Sequence, residues 1–355
     1  MTIPVSTPAD LDNVRNNLGA HYVQTQHIDM AGVSWTPIGA WDDPFIGTYD
    51  GQCFEIRNLT LSGAGPLGLF REVHNTGVLK NMTIRDGSIT ITSGTGTCGL
   101  LVIYVEGEKE EPTIYNCYVI NGTVVGSYNS GLMIGSIGQH YRHTVIEKCA
   151  ATGQISSTAT SCRITGFIGT IHTAVSNVVH IKNCYARANL TVPSNNGECG
   201  TFGPGTRISS SAHFENCYSA GTVTGAGATH LLTAICREGG LFIPTATNCY
   251  YDHSIYPYQR EEELGIPRST ADMTYPENFG NTYQGWDFTE VWRHDPSYTI
   301  NAGYPWFTCA VKEFRVWVKK QGIWESVPSL PPRKSGEWKD MVSASVRKSG
   351  DWKQV

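Results

Sequence analysis

The amino-acid sequence predicts an all-β protein in which short parallel strands stack as the coils of a β-helix, or β-solenoid. Charged residues make up only 16% of the chain and there are 38 glycines, a composition that favours strands and turns over helical bundles or doubly wound sheets. Short segments of alternating polarity, punctuated by Gly and Asn, return at a regular spacing. A single coil cannot bury its own apolar face, so such units must stack.

The repeat is clearest at five cysteines. These are Cys117, Cys149, Cys184, Cys217 and Cys249, with spacings of 32, 35, 33 and 32 residues. An apolar residue stands three positions before each of them. About seven related units cover residues 56–251. A β-propeller is the alternative at this period, but a blade needs four strands in about 40 or more residues.

The unit Asn183-Cys184-Tyr185 predicts a turn at the asparagine. If Asn183 is left-handed or bulged, Ile181 and Cys184 both face the interior. The residues two before the cysteines then face outward, and Glu147, Lys182 and Glu215 stack with alternating charge. The tyrosines form an exterior column, which is either a self-stacked ladder or a surface that binds sugar rings. The candidate ligand-binding residues are Tyr118, Tyr185, Tyr218 and Tyr250.

The cysteines are interpreted as part of the fold. Eleven is an odd number, so they cannot all pair within the chain. The sequence has no CxxC and no spacing typical of zinc ligands, which favours a buried structural ladder over a metal or redox site. Cys98, Cys162, Cys199 and Cys236 are expected to form a second such column. No metal ion and no cofactor are predicted.

No catalytic residue is assigned. His140 and His143 form a lone HxxH, interpreted as a surface loop. Acid–base catalysis on a β-helix needs two or three carboxylates at one groove, and no aspartate occurs between Asp86 and Asp252. Glu147 and Glu215, two coils apart, are the pair that keeps a polysaccharide depolymerase as an alternative.

The sequence divides into four segments. Residues 1–55 are expected to form an N-terminal cap and first coil, with a short helix that has Thr7 as its N-cap and stops at Gly19. Residues 56–251 form the repeats, and residues 252–310 form a C-terminal cap of the solenoid. Residues 311–355 hold a 14-residue repeat of strand, Gly turn and strand, with Trp324, Trp338 and Trp352 at equivalent positions. One such hairpin is not stable alone, so the three must pack together or against other chains.

Residues 8–308 resemble the GLUG-motif repeat family. The motifs that carry this resemblance are "HIDM" (27–30), "WTPIG" (35–39), "FIGTYDG" (45–51), "IRNL" (56–59) and "GLF" (68–70), followed by "RSTADM", "GWDFTEVW" and "GYPWF". The resemblance implies a right-handed parallel β-helix that serves as an adhesin-like scaffold. It transfers no catalytic residue, because the chain has no peptidase motif such as HExxH.

The tryptophan repeat resembles the Lys-x-Gly-x-Trp-Lys repeats at the C-termini of phage tail proteins, where it would serve attachment or oligomerisation. The chain has no apolar stretch long enough for a transmembrane helix and does not begin like a secretory signal peptide. Its basic C-terminal segment alternates in charge, which favours solvated hairpins over a nucleic-acid site.

The sequence therefore predicts a phage tail-fibre or tailspike-like adhesin, a non-enzymatic virion component assembled in the host cytoplasm. Its expected partners are a host-surface receptor, preferably a glycan and otherwise a protein, and other tail proteins. We expect a homo-oligomer such as a trimer, with no nucleic-acid partner and no membrane insertion. The alternatives are a bacterial or archaeal cell-surface adhesin, which would be extracellular, and the depolymerase.

Overall fold

The structure is a computed structural model of the chain, which divides into two compact units, Met1–Cys309 and Ala310–Val355. It describes residues 2–94, 96–107, 113–138, 143–157, 159, 162–171, 178–192, 197–203, 211–225, 231–236, 244–256, 263–276, 279–307, 316–320, 323–327, 344–348 and 351–354.

The first unit is a parallel β-solenoid, which confirms the predicted fold class. Four sheets run along it, and every strand pair that the structure describes in them is parallel. The strands of sheet 1 are Thr2–Val5, His21–Gln24, Thr48–Asp50, Val78–Lys80, Ile114–Tyr115, His143–Glu147, Val178–Lys182, Ser211–Glu215 and Thr245–Thr247. Sheet 1 therefore begins at the first described residue, well before the predicted start of the repeats.

Sheet 2 lies one corner further along each coil. Its main path contains Ile28–Asp29, Glu55–Arg57, Thr83–Arg85, Tyr118–Gly126, Ala150–Ser157, Tyr185–Thr191, Tyr218–Ser219, Tyr250–Asp252 and Ile266–Arg268. Three further strands pair beside this path, namely Thr60–Gly63, Ser88–Ile91 and Val223–Thr224.

Sheets 3 and 4 complete the coils. Sheet 3 contains Phe70–Asn75, Val102–Gly107, Ile134–Ile137 and Ile168–Ile171. Sheet 4 contains Ser130–Gly131, Cys162–Thr165, Gly197–Gly200 and Leu231–Thr233. Equivalent residues of successive strands form apolar columns inside the solenoid, since parallel pairing places them about 4.8 Å apart. One such column is Leu79, Ile114, Ile146, Ile181 and Phe214, all fully or almost fully buried.

The corner between sheets 1 and 2 is built by left-handed residues, as the sequence predicts. The residues at this corner are Asn81, Asn116, Lys148, Asn183, Asn216 and Asn248, with φ between 51° and 56°. The amide of Asn116 donates to the side-chain oxygen of Asn81 at 2.7 Å, and that of Asn216 donates to Asn183 at 3.4 Å. Each cysteine after this corner residue is buried in the interior.

The N-terminal helix covers the start of the solenoid. It spans Pro8–Asp12, and the hydroxyl of Thr7 accepts a hydrogen bond from the backbone N–H of Asp10 at 3.1 Å. Hydrogen bonds from Ser6 hold the pKa of Asp10 below its usual value. A 3₁₀ turn, Asn13–Asn16, continues the helix, so it ends earlier than the predicted stop at Gly19. Leu11 is fully buried, as a covering role requires.

At the other end, the carboxylate of Glu263 closes the last turn. It accepts hydrogen bonds from the backbone N–H groups of Ala234 at 2.6 Å, Ile235 at 3.1 Å and Gly265 at 3.1 Å. An unpaired buried N–H is costly, so this carboxylate stabilises the turn by accepting from these three donors.

Residues 269–276 and 279–307, here named the covering segment, lie along the side of the solenoid. The segment contains the helices Thr270–Met273 and Phe279–Thr282 and packs on the outer face of sheet 2. The predicted C-terminal cap (252–310) therefore adds one last strand, Ile266–Arg268, and then turns back over earlier coils.

The second unit is an antiparallel sheet of two hairpins. Val316–Lys320 pairs with Ile323–Val327, Ala344–Lys348 pairs with Asp351–Gln354, and the two hairpins join through Trp317 and Ser345. Trp324 and Trp352 occupy equivalent strand positions, opposite Lys319 and Arg347. This confirms hairpins in the first and third repeats, whereas Trp338 lies outside the described residues.

Candidate ligand-binding groove

The tyrosine column predicted to bind a ligand lies on the outer face of sheet 2 but is covered. The rings, none more than 6% exposed, belong to Tyr118, Tyr185, Tyr218 and Tyr250. Tyr185 and Tyr218 stack with centroids 5.0 Å apart, and Trp292 of the covering segment packs on them at 6.2 and 6.0 Å. The Tyr218 hydroxyl donates to the carbonyl of Pro305 at 2.7 Å. The prediction that these rings are exposed is wrong, because an aromatic segment occupies the face where a sugar was expected to stack.

The covering segment contacts the tyrosine column through a cluster of buried side chains, most of them aromatic. Its buried residues in this cluster are Met273, Tyr283, Trp286, Trp292, Tyr304 and Phe307. Four of them, Trp286, Trp292, Tyr304 and Phe307, belong to the motifs "GWDFTEVW" and "GYPWF". This density of aromatic residues could have indicated that the segment packs against the solenoid. The column is also interrupted, since Ala150 stands between Tyr118 and Tyr185.

The main cysteine column has the properties of a structural ladder. Its five thiols are free and fully buried, and that of Cys184 lies 3.1 Å from the carbonyl oxygen of Lys182. Burial raises the pKa of the Cys117, Cys184 and Cys249 thiols. Hydrogen bonds from the neighbouring thiols outweigh burial at Cys149 and Cys217 and lower the pKa there. Cys53, outside this column, is disulfide-bonded.

The predicted second cysteine column does not form as one column. Cys98 and Cys199 occupy equivalent positions in their coils. Ser130 pairs with Cys98, Ile164 pairs with Ser130, and Cys199 pairs with Ile164. Cys162 pairs instead with Gly197, two residues earlier. Cys236 follows the strand Leu231–Thr233 and lies beyond that position. The spacing of these cysteines in the sequence differs from the lengths of the coils. They therefore do not fall at the same position in successive coils.

A groove of about 310 Å³ opens on the outer face of sheet 1. The described residues that line it are His143, Val145, His180 and Lys182. Strand alternation explains their direction: Thr144, Ile146 and Ile181 face the interior, so their neighbours face outward. Val145 is only 4% exposed and forms an apolar floor, while the other three side chains are half-buried.

Residues at equivalent positions of successive coils lie side by side along this face. Val145, His180, His213 and Thr245 are successive partners in one column. The rings of His180 and His213 stack with centroids 5.0 Å apart, and the Nδ1 of His213 lies 2.8 Å from the hydroxyl of Thr245. Burial lowers the pKa of His180, and the nearby His213, Lys182 and His143 lower it further.

The alternating charge column forms as the sequence predicts, and its central residue, Lys182, lines the groove. Lys182 stands between Glu147 and Glu215 in register, and its Nζ lies 4.0 Å from a carboxylate oxygen of Glu215. Burial raises the pKa of Glu147, an effect that Lys182 opposes. The two glutamates considered as a carboxylate pair are therefore separated by a cation and do not face each other across open space.

The sequence interpretation missed the groove as a site. His143 was assigned to a surface loop, but it lies in the strand His143–Glu147, whereas its HxxH partner His140 is outside the described residues. The coil period would have indicated part of the site, since His180 and His213 are one repeat apart. Within the described ranges, no three His, Cys, Asp or Glu side chains are placed to share a metal ion. No described helix is long and apolar enough to cross a membrane.

Fold and groove together define a parallel β-solenoid with a polar pocket on one open face. No family model matches the chain, so the GLUG resemblance stays a prediction. In overall fold the chain is similar to a crystal structure described as "a putative immunoglobulin A1 protease from Bacteroides ovatus". The TM-score is 0.51 at 19% identity, covering 86% of this chain and 92% of the other. At this identity the similarity shows the fold alone.

Two curated relatives match part of the sequence. Halomucin of Haloquadratum walsbyi is 32% identical over 127 residues, or 33% of this chain and 1% of halomucin. A protein named "Putative Gly-rich membrane protein" of Evansella cellulosilytica is 31% identical over 107 residues, or 27% of this chain and 12% of that protein. The matched regions thus span only a small part of both relatives.

Proposed function

We propose that the protein is a surface-displayed β-solenoid adhesin that binds a host-surface glycan in the groove of sheet 1. The observation that carries this proposal is the groove itself, which places His143, His180 and Lys182 around the apolar floor at Val145. Its volume is at the lower end of the range typical of ligand sites, about 300–1,000 Å³.

A rigid solenoid suits this role because its outward side chains are held by continuous strand pairing. Val178–Lys182 pairs along its whole length with both neighbouring strands, so the groove residues sit on a preorganised frame. Sites on strands hold their geometry better than sites on loops. The tyrosine column on sheet 2 is covered, whereas sheet 1 offers polar groups to a large ligand on its outer face.

The adhesin would be displayed either on a phage tail or on a cell surface. The tryptophan repeat supports a phage tail, where the hairpin unit would attach to other virion proteins or form an oligomer through Trp324, Trp338 and Trp352. The similarity to halomucin and to a protein named as a membrane protein supports a cell-surface location instead. Tail or baseplate genes beside this gene would favour the phage tail, and their absence would favour the cell surface.

The glycan proposal predicts a binding activity that depends on the groove. Wild-type protein and the variant Lys182→Gln are applied to a glycan array, with Tyr218→Phe as a matched control in the covered column. We expect binding that Lys182→Gln weakens about tenfold, because a hydrogen bond from a charged donor is lost. Tyr218→Phe should bind like the wild type.

Three results would contradict or change this proposal. Absence of any glycan ligand, or equal binding by Lys182→Gln, would reject the groove as a glycan site. Loss of binding only in Tyr218→Phe would place the glycan-binding site at the tyrosine column instead of the groove. Release of shorter sugars from a bound polysaccharide would favour the depolymerase alternative.

A further inference from the structure

We infer that the groove selects an anionic group on its glycan, the carboxylate or sulfate of an acidic sugar, and binds it more tightly as the pH falls. This inference rests on the proposed glycan-binding function and names the class of sugar.

The lining of the groove supplies hydrogen-bond donors and positive charge. Lys182 has three N–H donors and no acceptor, and a protonated imidazole has two donors and no acceptor. His143 and His180 can therefore complement an oxygen-rich anion together with Lys182. No carboxylate occurs among the described lining residues. The carboxylate of an acidic sugar has two charged acceptor oxygens and a sulfate ester has three, so either group fits this donor set.

The charged groups around the histidines come from three strands. Facing outward beside the groove are His143 and Glu147 on the first strand, His180 and Lys182 on the second, and His213 and Glu215 on the third. Glu215 lies toward Lys182, at 4.0 Å, and its side chain is 49% exposed. Neither glutamate is among the described residues that line the groove, and Lys182 stands between them in register.

Protonation links the groove to pH. In the free protein, burial holds the pKa of His180 below its usual value, and the nearby His213, Lys182 and His143 lower it further. A bound anion stabilises the protonated imidazole and raises the pKa of His180, so binding takes up a proton. Affinity then rises as the pH falls from the pKa of His180 in the complex to its lower pKa in the free protein, a window that extends below the usual histidine value of about 6.5.

The test compares matched ligands at two pH values and constant ionic strength. The full chain is titrated with a galacturonic-acid oligomer, the neutral galactose oligomer of the same linkage, a sulfated galactose oligomer and an oligoglutamate peptide. Titrations are run at about pH 8 and about pH 5.5, on either side of the ordinary histidine pKa. We expect both acidic sugars to bind better than the neutral one. Their affinity should rise about fivefold when His180 becomes charged beside the anion.

Variants separate the groove from general surface charge. His180→Gln should reduce the pH dependence while leaving weaker binding at the higher pH. His21→Gln is the matched control, because His21 is an exposed histidine in another strand of sheet 1. Circular dichroism checks that each variant is folded, and a Lys182→Arg variant, which keeps the charge, should retain acid-sugar preference.

The outcomes distinguish this inference from the proposed function. Equal binding of neutral and acidic sugars, or binding that does not change with pH, would overturn the inference and leave the adhesin proposal intact. Failure of every sugar to bind would overturn both. Oligoglutamate binding as tight as that of the galacturonic-acid oligomer would show an acidic peptide as the ligand and would also overturn the inference.

Discussion

At the scale of the residue, the corner between sheets 1 and 2 depends on the choice of asparagine. A left-handed backbone costs about 1–2 kcal/mol for most side chains, and Asn tolerates it best after Gly. Stacked asparagines add side-chain hydrogen bonds from coil to coil, as from Asn216 to Asn183 and from Asn248 to Asn216. Lys148 interrupts this amide ladder while keeping a left-handed φ of 56°. The asparagine side chain therefore favours the left-handed corner in most coils. At Lys148, where the residue type does not favour it, the pairing of the neighbouring strands holds the same conformation.

The corner predicts different effects for two substitutions at Asn183. Asn183→Ala should lower the free energy of unfolding by about 1–2 kcal/mol, since alanine is strained in this conformation and the amide ladder is lost. Asn183→Gly loses the same hydrogen bond without the backbone strain, so its cost should be smaller. Urea denaturation of both variants measures the difference. Equal destabilisation by the two substitutions would contradict a role for backbone conformation.

The Asn-Cys-Tyr unit also shows what local sequence predicts and what it does not. The left-handed Asn183, the inward Cys184 and the outward Tyr185 were all predictable, because each follows from its own residue type and from strand alternation. The burial of Tyr185 was not, since it depends on Phe307 and Trp292, more than one hundred residues later in the chain. Contacts at such separation have no signature in the repeat itself.

At the scale of the element, the covering segment is held mainly by apolar and aromatic packing on sheet 2. Trp292 is fully buried, and its ring lies 4.4 Å from that of Trp286 and 4.6 Å from that of Phe307. Polar contacts fix the register, because Asn301 donates to the hydroxyl of Tyr218 at 2.6 Å. The segment is therefore part of the folded solenoid and not a separate module.

This packing predicts that Trp292→Ala is strongly destabilising. We expect a loss of about 3–5 kcal/mol in the free energy of unfolding, because a large buried ring leaves a cavity. The control is Trp41→Ala, at a tryptophan that is 50% exposed, which should change stability by about 0.5 kcal/mol or less. Urea denaturation followed by circular dichroism measures both. Similar small effects for the two variants would mean that the segment is not anchored on sheet 2.

The groove was beyond sequence prediction for a related reason. His143 comes from one coil and His180 from the next, and their register is offset, since His143 pairs with Val178 while His180 pairs with Val145. Only the pairing of the coils brings the two imidazoles and Lys182 to one pocket. The charge column was easier to predict because Glu147, Lys182 and Glu215 keep the same distance from the cysteine in every coil.

At the scale of the solenoid unit, the outer faces of sheets 1 and 2 differ, since one is open and the other is covered. The face of sheet 2 carries aromatic residues and is covered by a segment of the same chain. The face of sheet 1 carries histidines and alternating charges and keeps an open groove. The central claim is that the open face, and not the tyrosine column, binds the ligand.

Hydroxyl-radical footprinting of the full chain, with and without a saturating acidic oligosaccharide, tests this claim most directly. The account predicts that bound sugar lowers the labelling of His143, His180 and His213 on sheet 1, while Tyr185, Tyr218 and the covering segment are labelled equally in both samples. Protection confined to the tyrosine column or to the covering segment, with the three histidines unchanged, would contradict it.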